Sequence, residues 1–257
     1  MPMEKEGHYI YCIIGSAQDR NFGPNGIGSR GEVLTIGYND LCMVVSSHPL
    51  TKFVVSRDNL IAHERVIETV MKEFDSVLPV RFGTIASSAD EIRNLLDRRS
   101  REFKNLLRDM DHKIELGVKG LWKDMKTIYK ELTRENKDIK RAQGEILSAK
   151  GKKSIGAKIE LGKLVEEALT RKKEREQERV TETLRKIAFD FKINKTIGGE
   201  MFMNAAFLVD KGREKEFDNI MEELTARYQS RIKFYYAGPL PVFNFVNVAI
   251  YPEEWEK

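Results

Sequence analysis

At 257 residues the chain is long enough to bury one large core or two smaller ones, and two domains are the expected organisation. Its apolar share of 41% is ordinary for a globular protein, and no apolar run approaches the ~20 residues of a membrane-spanning helix. The 44 basic residues nearly cancel the 40 acidic ones, which argues against a generic nucleic-acid binder.

Met1 to His8 carries Glu4, Lys5 and Glu6 with no apolar core or small-residue cleavage site, so no export signal is read there. The run from His8 to Ile14 is β-branched and aromatic, a strand, and Gly15 to Gly31 is a loop rich in Gly, Asn, Ser and Pro. Cys12 and Cys42 both fall in strand-like runs, where a buried free thiol in a reducing cytoplasm is expected. Glu32 to Gly37 and Leu41 to Ser46 form a hairpin across Tyr38-Asn39-Asp40, because Asn and Asp tolerate the positive φ of a tight turn.

Ser56 to Phe74 is an amphipathic helix striped by Leu60, Ile67, Val70, Met71 and Phe74, with Ser56 or Asp58 as its cap. In Val77 to Ile85 apolar and other residues alternate, which predicts a half-buried strand with Pro79 near its start and Arg81 in its middle. Ser88 to Met110 reads as one helix capped by Ser88 with Glu91 three residues on, and Ile114 to Leu121 as a strand. Strand, hairpin, helix, strand, helix, strand approximates a modified ferredoxin-like domain over 1–121.

The remainder, 122–257, is expected to be a C-terminal α+β domain, making the chain α+β throughout. Long helices occupy about 123–194, where two apolar stripes, from Ile155 to Leu169 and from Val180 to Phe191, stay in phase on one continuous helix. The charged run Arg171 to Arg179 between them is expected to be solvated or to face a partner, and a break is expected within Arg141 to Gly156. A strand at Met201 to Val209, a helix at Gly212 to Tyr228, and strands at Arg231 to Tyr236 and Val242 to Tyr251 close the chain, with Gly238-Pro239-Leu240-Pro241 as the turn joining the last two.

No catalytic, cofactor or metal site is nominated. His8, His48, His63 and His112 have no metal-ligand spacing, and the glycines from Gly23 to Gly31 open a strand and lack the Lys-Ser/Thr of a phosphate cradle. No strained nucleophile turn of the G-x-S-x-G kind occurs. His63 falls on the buried side of the first helix beside Glu64, and a structural ion pair between Glu64 and Arg81 is expected. Arg81 alternatively lies where the N-terminal sheet meets a domain or partner, since a ferredoxin-like sheet covers one face with its own helices and leaves the other open.

Ala62-His63-Glu64-Arg65-Val66, followed by Val77-Leu78-Pro79-Val80-Arg81-Phe82-Gly83-Thr84, resembles the signature of the gas vesicle protein F/L family. Tyr9-Ile10-Tyr11, Glu115 to Lys119, and Gly238-Pro239 through Phe245-Val246 extend the resemblance nearly end to end. It singles out His63, Glu64, Pro79, Arg81, Phe82, Gly83, Thr84, Gly238, Pro239 and Phe245 as structural or interaction residues. It implies a non-enzymatic cytoplasmic protein of the gas vesicle, a minor shell component or an assembly factor. Its partners would be the main hydrophobic shell protein and other gas vesicle accessory proteins, with no cofactor, nucleic acid or membrane. A ferredoxin-like small-molecule-binding or oxygenase enzyme is the alternative, and an RNA-binding module ranks below it because the aromatic-studded strand motif is missing.

Overall fold

The computed structural model describes residues 6–29, 31–50, 55–148 and 152–251. The first strand, β1 (Glu6–Gly15), lies between β3 (Leu41–Pro49) on one side and β4 (Val77–Pro79) and β5 (Ile85–Ala86) on the other. With β2 (Val33–Tyr38) beyond β3, the sheet order is β2-β3-β1-β4, and each of these pairings is antiparallel. The β2–β3 turn forms as expected, with Asn39 at φ 54°.

A register shift between Ile10 and Cys12 decides how β1 uses its side chains. Tyr9 precedes it, Tyr11 is the extra residue within it, Cys12 and Ile14 follow it, and all four enter one core cluster, because the extra residue of a bulge reverses the alternation of faces. Helix α1 (Arg57–Met71) fills that cluster with Val66, Ile67 and Val70, and Phe22, Ile27 and Val33 pack into it as well. Ile10 and Ile13 are fully buried too, and α2 (Ala89–Arg98) and α3 (Ser100–Asp109) pack on the same sheet. Both faces of this sheet are therefore covered by its own helices, and the open face expected from the ferredoxin-like reading is not left.

Helix starts follow the sequence signals closely. The Ser56 side chain accepts from the Asn59 N–H and the Ser88 side chain from the Glu91 N–H, each satisfying a first-turn donor. The single helix expected over Ser88 to Met110 divides at Arg99, whose backbone leaves the helical range at φ −102°, ψ 16°. There the Arg99 guanidinium donates to both carboxylate oxygens of Glu102 and to the Ala249 carbonyl.

The strand expected over Val77 to Ile85 is interrupted. β4 and β5 both pair with β1, but between them Val80 makes only an isolated bridge and Phe82 and Gly83 form a turn, so Arg81 lies outside both strands and not in mid-strand. The strand at Ile114 to Leu121 forms as β6 (Lys113–Trp122) but joins a second sheet, ordered β7-β8-β6-β9, with β7 (Asp190–Ile193), β8 (Met201–Asp210) and β9 (Ile232–Leu240).

By contacts the chain falls into two units. The first comprises Met1–Glu115, Asp210–Gly212 and Gly238–Lys257, and the second Leu116–Val209 and Arg213–Ala237. The first division falls between Glu115 and Leu116, the chain crosses between the units again after Val209, Gly212 and Ala237, and the last segment groups with the first unit. No final strand forms over Val242 to Tyr251. Residues 242–246 make a helical turn, with the Phe245 and Val246 N–H groups donating to the Val242 carbonyl, and Val248 makes a single parallel bridge to Val80. The Gly238-Pro239 peptide is cis and lies inside β9, not in a turn between strands.

In the second unit α4 (Met125–Glu135), α5 (Lys137–Ser148) and α6 (Lys152–Leu184) pack through Leu132, Ile139 and Ala168, with Leu161, Leu164, Val165 and Leu169 around them. At 33 residues α6 is about 50 Å long. It carries both predicted stripes as far as Leu184, but Ile155 and Ile159 are exposed and Phe191 belongs to β7. Of the break expected within Arg141 to Gly156, residues 149–151 lie outside the described residues, whereas Gly144 and Gly156 are helical. Helix α7 (Glu214–Tyr228) turns Phe217, Met221 and Leu224 inward, Phe217 meeting the Phe207 ring at 5.4 Å.

Candidate functional site

Tyr9 sits at the centre of the first unit with none of its surface exposed. Its hydroxyl oxygen lies 3.0 Å from the Gly83 N–H, which donates to it, and 2.9 Å from His63 Nδ1. The oxygen accepts from Gly83, and it shares a second hydrogen bond with Nδ1 whose direction follows the His63 tautomer. Gly83 takes φ 86°, a conformation that favours glycine, and this turns its N–H toward Tyr9. Thr84 completes the turn by donating from its hydroxyl to the Arg81 carbonyl at 2.6 Å.

His63 is buried among rings: Tyr11 stacks on it at 5.6 Å, and Phe82 and Phe243 approach at 5.5 and 6.1 Å. Burial holds its pKa down at about 4, and the Val80 carbonyl, which favours the protonated ring, opposes this only weakly. No hydrogen bond of good geometry closes on Nε2. Tyr11 anchors the neighbouring loop: its hydroxyl accepts from the Ile27 N–H and bonds Ser46 Oγ, both at 2.8 Å. The glycine-rich loop is thereby tied to the core through Ile27.

Over His63 lies a hollow of about 420 Å³. Leu60, His63 and Glu64 come to it from α1, Pro79, Arg81 and Phe82 from the end of β4 and the loop after it, and Phe243 and Val246 to Val248 from the C-terminal segment. The Arg81 N–H donates to the Val248 carbonyl at 3.3 Å, which fixes the C-terminal wall to the loop. Asn244 fastens the same segment further along, its N–H and side-chain amide both donating to the buried Glu115 carboxylate.

Leu60 and Phe243 remain 45% and 41% exposed and give the hollow an apolar rim. Glu64 and Arg81 both line it, but the expected ion pair between them does not form, and neither side chain has an ion-pair partner among the described residues. Partial burial, and then the like charge of Glu68 one turn on, raise the Glu64 pKa. The pairing fails because Arg81 leaves the strand at the loop and points its exposed side chain to the rim.

Three stretches distant in sequence thus meet at one place. Comparison with known proteins gives them a name: the family profile described as gas vesicle synthesis protein GvpL/GvpF matches residues 7–247. The chain belongs to this family. Gas vesicle protein F of Dolichospermum flosaquae is 27% identical over 213 residues, covering 82% of this chain and 85% of that protein. Gas vesicle protein F1 of Halobacterium salinarum is 25% identical over 251 residues, 97% of each chain. The crystal structure of GvpF from Anabaena superimposes with a TM-score of 0.79 at 24% identity, covering 95% of this chain and all of that one. That of GvpF from Microcystis aeruginosa gives 0.79 at 23%, covering 94% and 99%. The α+β fold is therefore that of GvpF crystal structures, and the chain is a gas vesicle-related protein.

Of the residues singled out by the GvpL/GvpF resemblance, His63, Glu64, Pro79, Arg81 and Phe82 line the hollow, with Gly83 and Thr84 shaping its loop. Gly238, Pro239 and Phe245 do not line it. Pro239 borders a smaller hollow of about 250 Å³ beside Phe74 and Val242, whose Asp75 and Lys211 pair at 3.0 Å. Sequence reasoning passed over Tyr9 as a hydrogen-bonding group and Phe243, Val246 and Val248 as walls; the Phe-x-x-Val-x-Val spacing was the available signal but reads equally as a strand. Among the described residues no cluster could hold a metal ion, and no helix is long and apolar enough to cross a membrane.

In the second unit the charged run of this GvpL/GvpF chain is only partly solvated. Lys172 is buried, bonding Glu131 at 2.9 Å and Glu135 at 3.0 Å, while Arg231 pairs with Glu131 and Glu176 at 2.6 and 3.0 Å. Hydrogen bonds from Arg231, and then from Lys172, hold the Glu131 pKa at about 2.

Proposed function

We propose that this chain is a gas vesicle accessory protein, a minor shell component or assembly factor that binds the main hydrophobic shell protein while the vesicle forms. The observation that supports it is the convergence of the His63-Glu64 segment, the Pro79 to Phe82 segment and the C-terminal segment on one open, apolar hollow. A shell subunit exposes apolar surface before it is assembled, and a partner offering a preformed apolar recess covers it. Binding suits the site better than catalysis. Burial biases His63, Tyr9 and Cys12 toward their neutral forms, and the one hydroxyl beside His63, that of Tyr9, has none of its surface open to a substrate.

Co-expression of the full chain with the main shell protein, followed by affinity capture, tests the proposal. The shell protein is expected to co-purify with the chain in stable ratio. A chain recovered without it, at an expression level where both proteins accumulate, sinks the reading.

A further inference from the structure

We propose that the hollow over His63 receives one large apolar side chain of the main shell protein, from a segment where that side chain is flanked by an acidic residue facing Arg81 and a basic residue facing Glu64. This rests on the function proposed above and adds the chemistry of the contact.

The size, the rim and the charges each point to such an occupant. A space of about 420 Å³ is within the roughly 300–1,000 Å³ of ordinary binding sites. Its rim side chains are close to half exposed, so it holds one side of its occupant and leaves the rest outside, as suits a side chain carried on a protein surface. Apolar side chains that stay exposed at the mouth of a recess gain from being covered.

Glu64 and Arg81 border the same space without pairing with each other or with any other described side chain. Glu64 also feels Glu68 on the next turn of α1, so the acidic side of the rim favours a cation and the Arg81 side an anion. An apolar group between opposite charges satisfies both; a purely apolar occupant would leave Glu64 and Arg81 unsatisfied at the edge of a desolvated contact. Asp75 and Lys211 at the smaller hollow already satisfy one another, which is why that surface is not chosen.

The test uses the full chain co-expressed with the main shell protein, with captured shell protein per chain as the readout. Leu60→Arg and Phe243→Arg place a charge at the apolar rim on exposed positions, and each is expected to lower capture by about tenfold or more. Ile197→Arg puts the same charge on a more exposed apolar residue in the second unit and is expected to leave capture unchanged. Arg81→Glu and Glu64→Lys are each expected to weaken capture, and the double exchange to stay weak, because both flanking charges then face the wrong sign.

Circular dichroism and unfolding midpoints identify any variant that fails to fold, and Leu60→Ser and Phe243→Ser, which add no charge, then take its place with the same expected direction. Wild-type levels of capture by both rim variants overturn the assignment of the hollow while leaving the proposed function standing. Loss of capture in Ile197→Arg equal to that of the rim variants, or no effect of Arg81→Glu and Glu64→Lys, also overturns it. A small molecule retained by the purified chain in native mass spectrometry and lost in Phe243→Arg overturns it in favour of a ligand. Failure of the wild-type chain to capture the shell protein removes both proposals.

Discussion

Tyr9 links three segments through one oxygen, and the cost of losing that oxygen can be stated. Tyr9→Phe keeps the ring contacts with Tyr11, His63 and Phe82 but leaves the Gly83 N–H and His63 Nδ1 without their partner. A buried group left unsatisfied costs on the order of 1–3 kcal/mol, so Tyr9→Phe should lower stability by about 2 kcal/mol or more in urea unfolding. His63 makes stability depend on pH in a defined direction. Its folded pKa of about 4 is below the ordinary 6.5, so between these values the unfolded chain takes up the proton that the folded one refuses. Stability should therefore be unaffected above pH 6.5, fall as the pH drops toward 4, and lose roughly 3 kcal/mol from this group. Unfolding curves across that range should show the decline for the native chain and a shallower one for His63→Gln.

Among the elements, β6 and α6 show how one residue type has opposite consequences in two settings. A methyl added at Gly120 would come within 2.6 Å of the buried Phe202 ring, which itself stacks on Trp122 at 5.3 Å. Gly162, on the exposed side of α6, has open space at the same position. Gly120→Ala should cost about 1–3 kcal/mol through overpacking, whereas Gly162→Ala should add up to about 1 kcal/mol through helix propensity. Thermal melts of the two variants check both signs. The charged contacts between α4, α6 and the start of β9 are also more than surface decoration, because Lys172 is buried. Glu131→Ala should destabilise by on the order of 3 kcal/mol by depriving Lys172 and Arg231 of a shared partner, and Lys172→Met by less, since its methionine can fill the buried space. The Glu131 contribution should persist above pH 4.5 and fade as the pH falls toward 2.

At the scale of the whole molecule, the C-terminal segment matters to a unit whose other residues lie mostly more than a hundred positions earlier. Val242, Val246 and Val248 are buried, Arg99 reaches the Ala249 carbonyl, and Glu115 holds Asn244, all within the first unit. A chain ending at Ala237 is therefore expected to lose amide hydrogen-exchange protection in β1 and β4 while α4 to α6 keep theirs. Equal loss in the two sets would contradict this division.

The sequence by itself determined the elements whose cause is local: the helix caps at Ser56 and Ser88, the Asn39 hairpin, the amphipathic stripe of α7, the Ile67 and Val70 part of that of α1, whose Leu60 stays exposed and whose Phe74 lies past the helix end, and the α+β class. It also carried the signature residues that line the hollow, though not the fact that they would meet there. What tertiary structure decided rests on non-local partners. Periodicity cannot show that the alternation through Arg81 ends in a turn whose Gly83 N–H donates to the Tyr9 hydroxyl. Nor can it tell a final strand from a helical turn when Val242, Val246 and Val248 bury equally well either way. Pairing of Glu64 with Arg81 was the reasonable inference from two charges near one core. The loop that carries Arg81 out to the rim, unpaired, exists only because β4 and β5 are both held on β1.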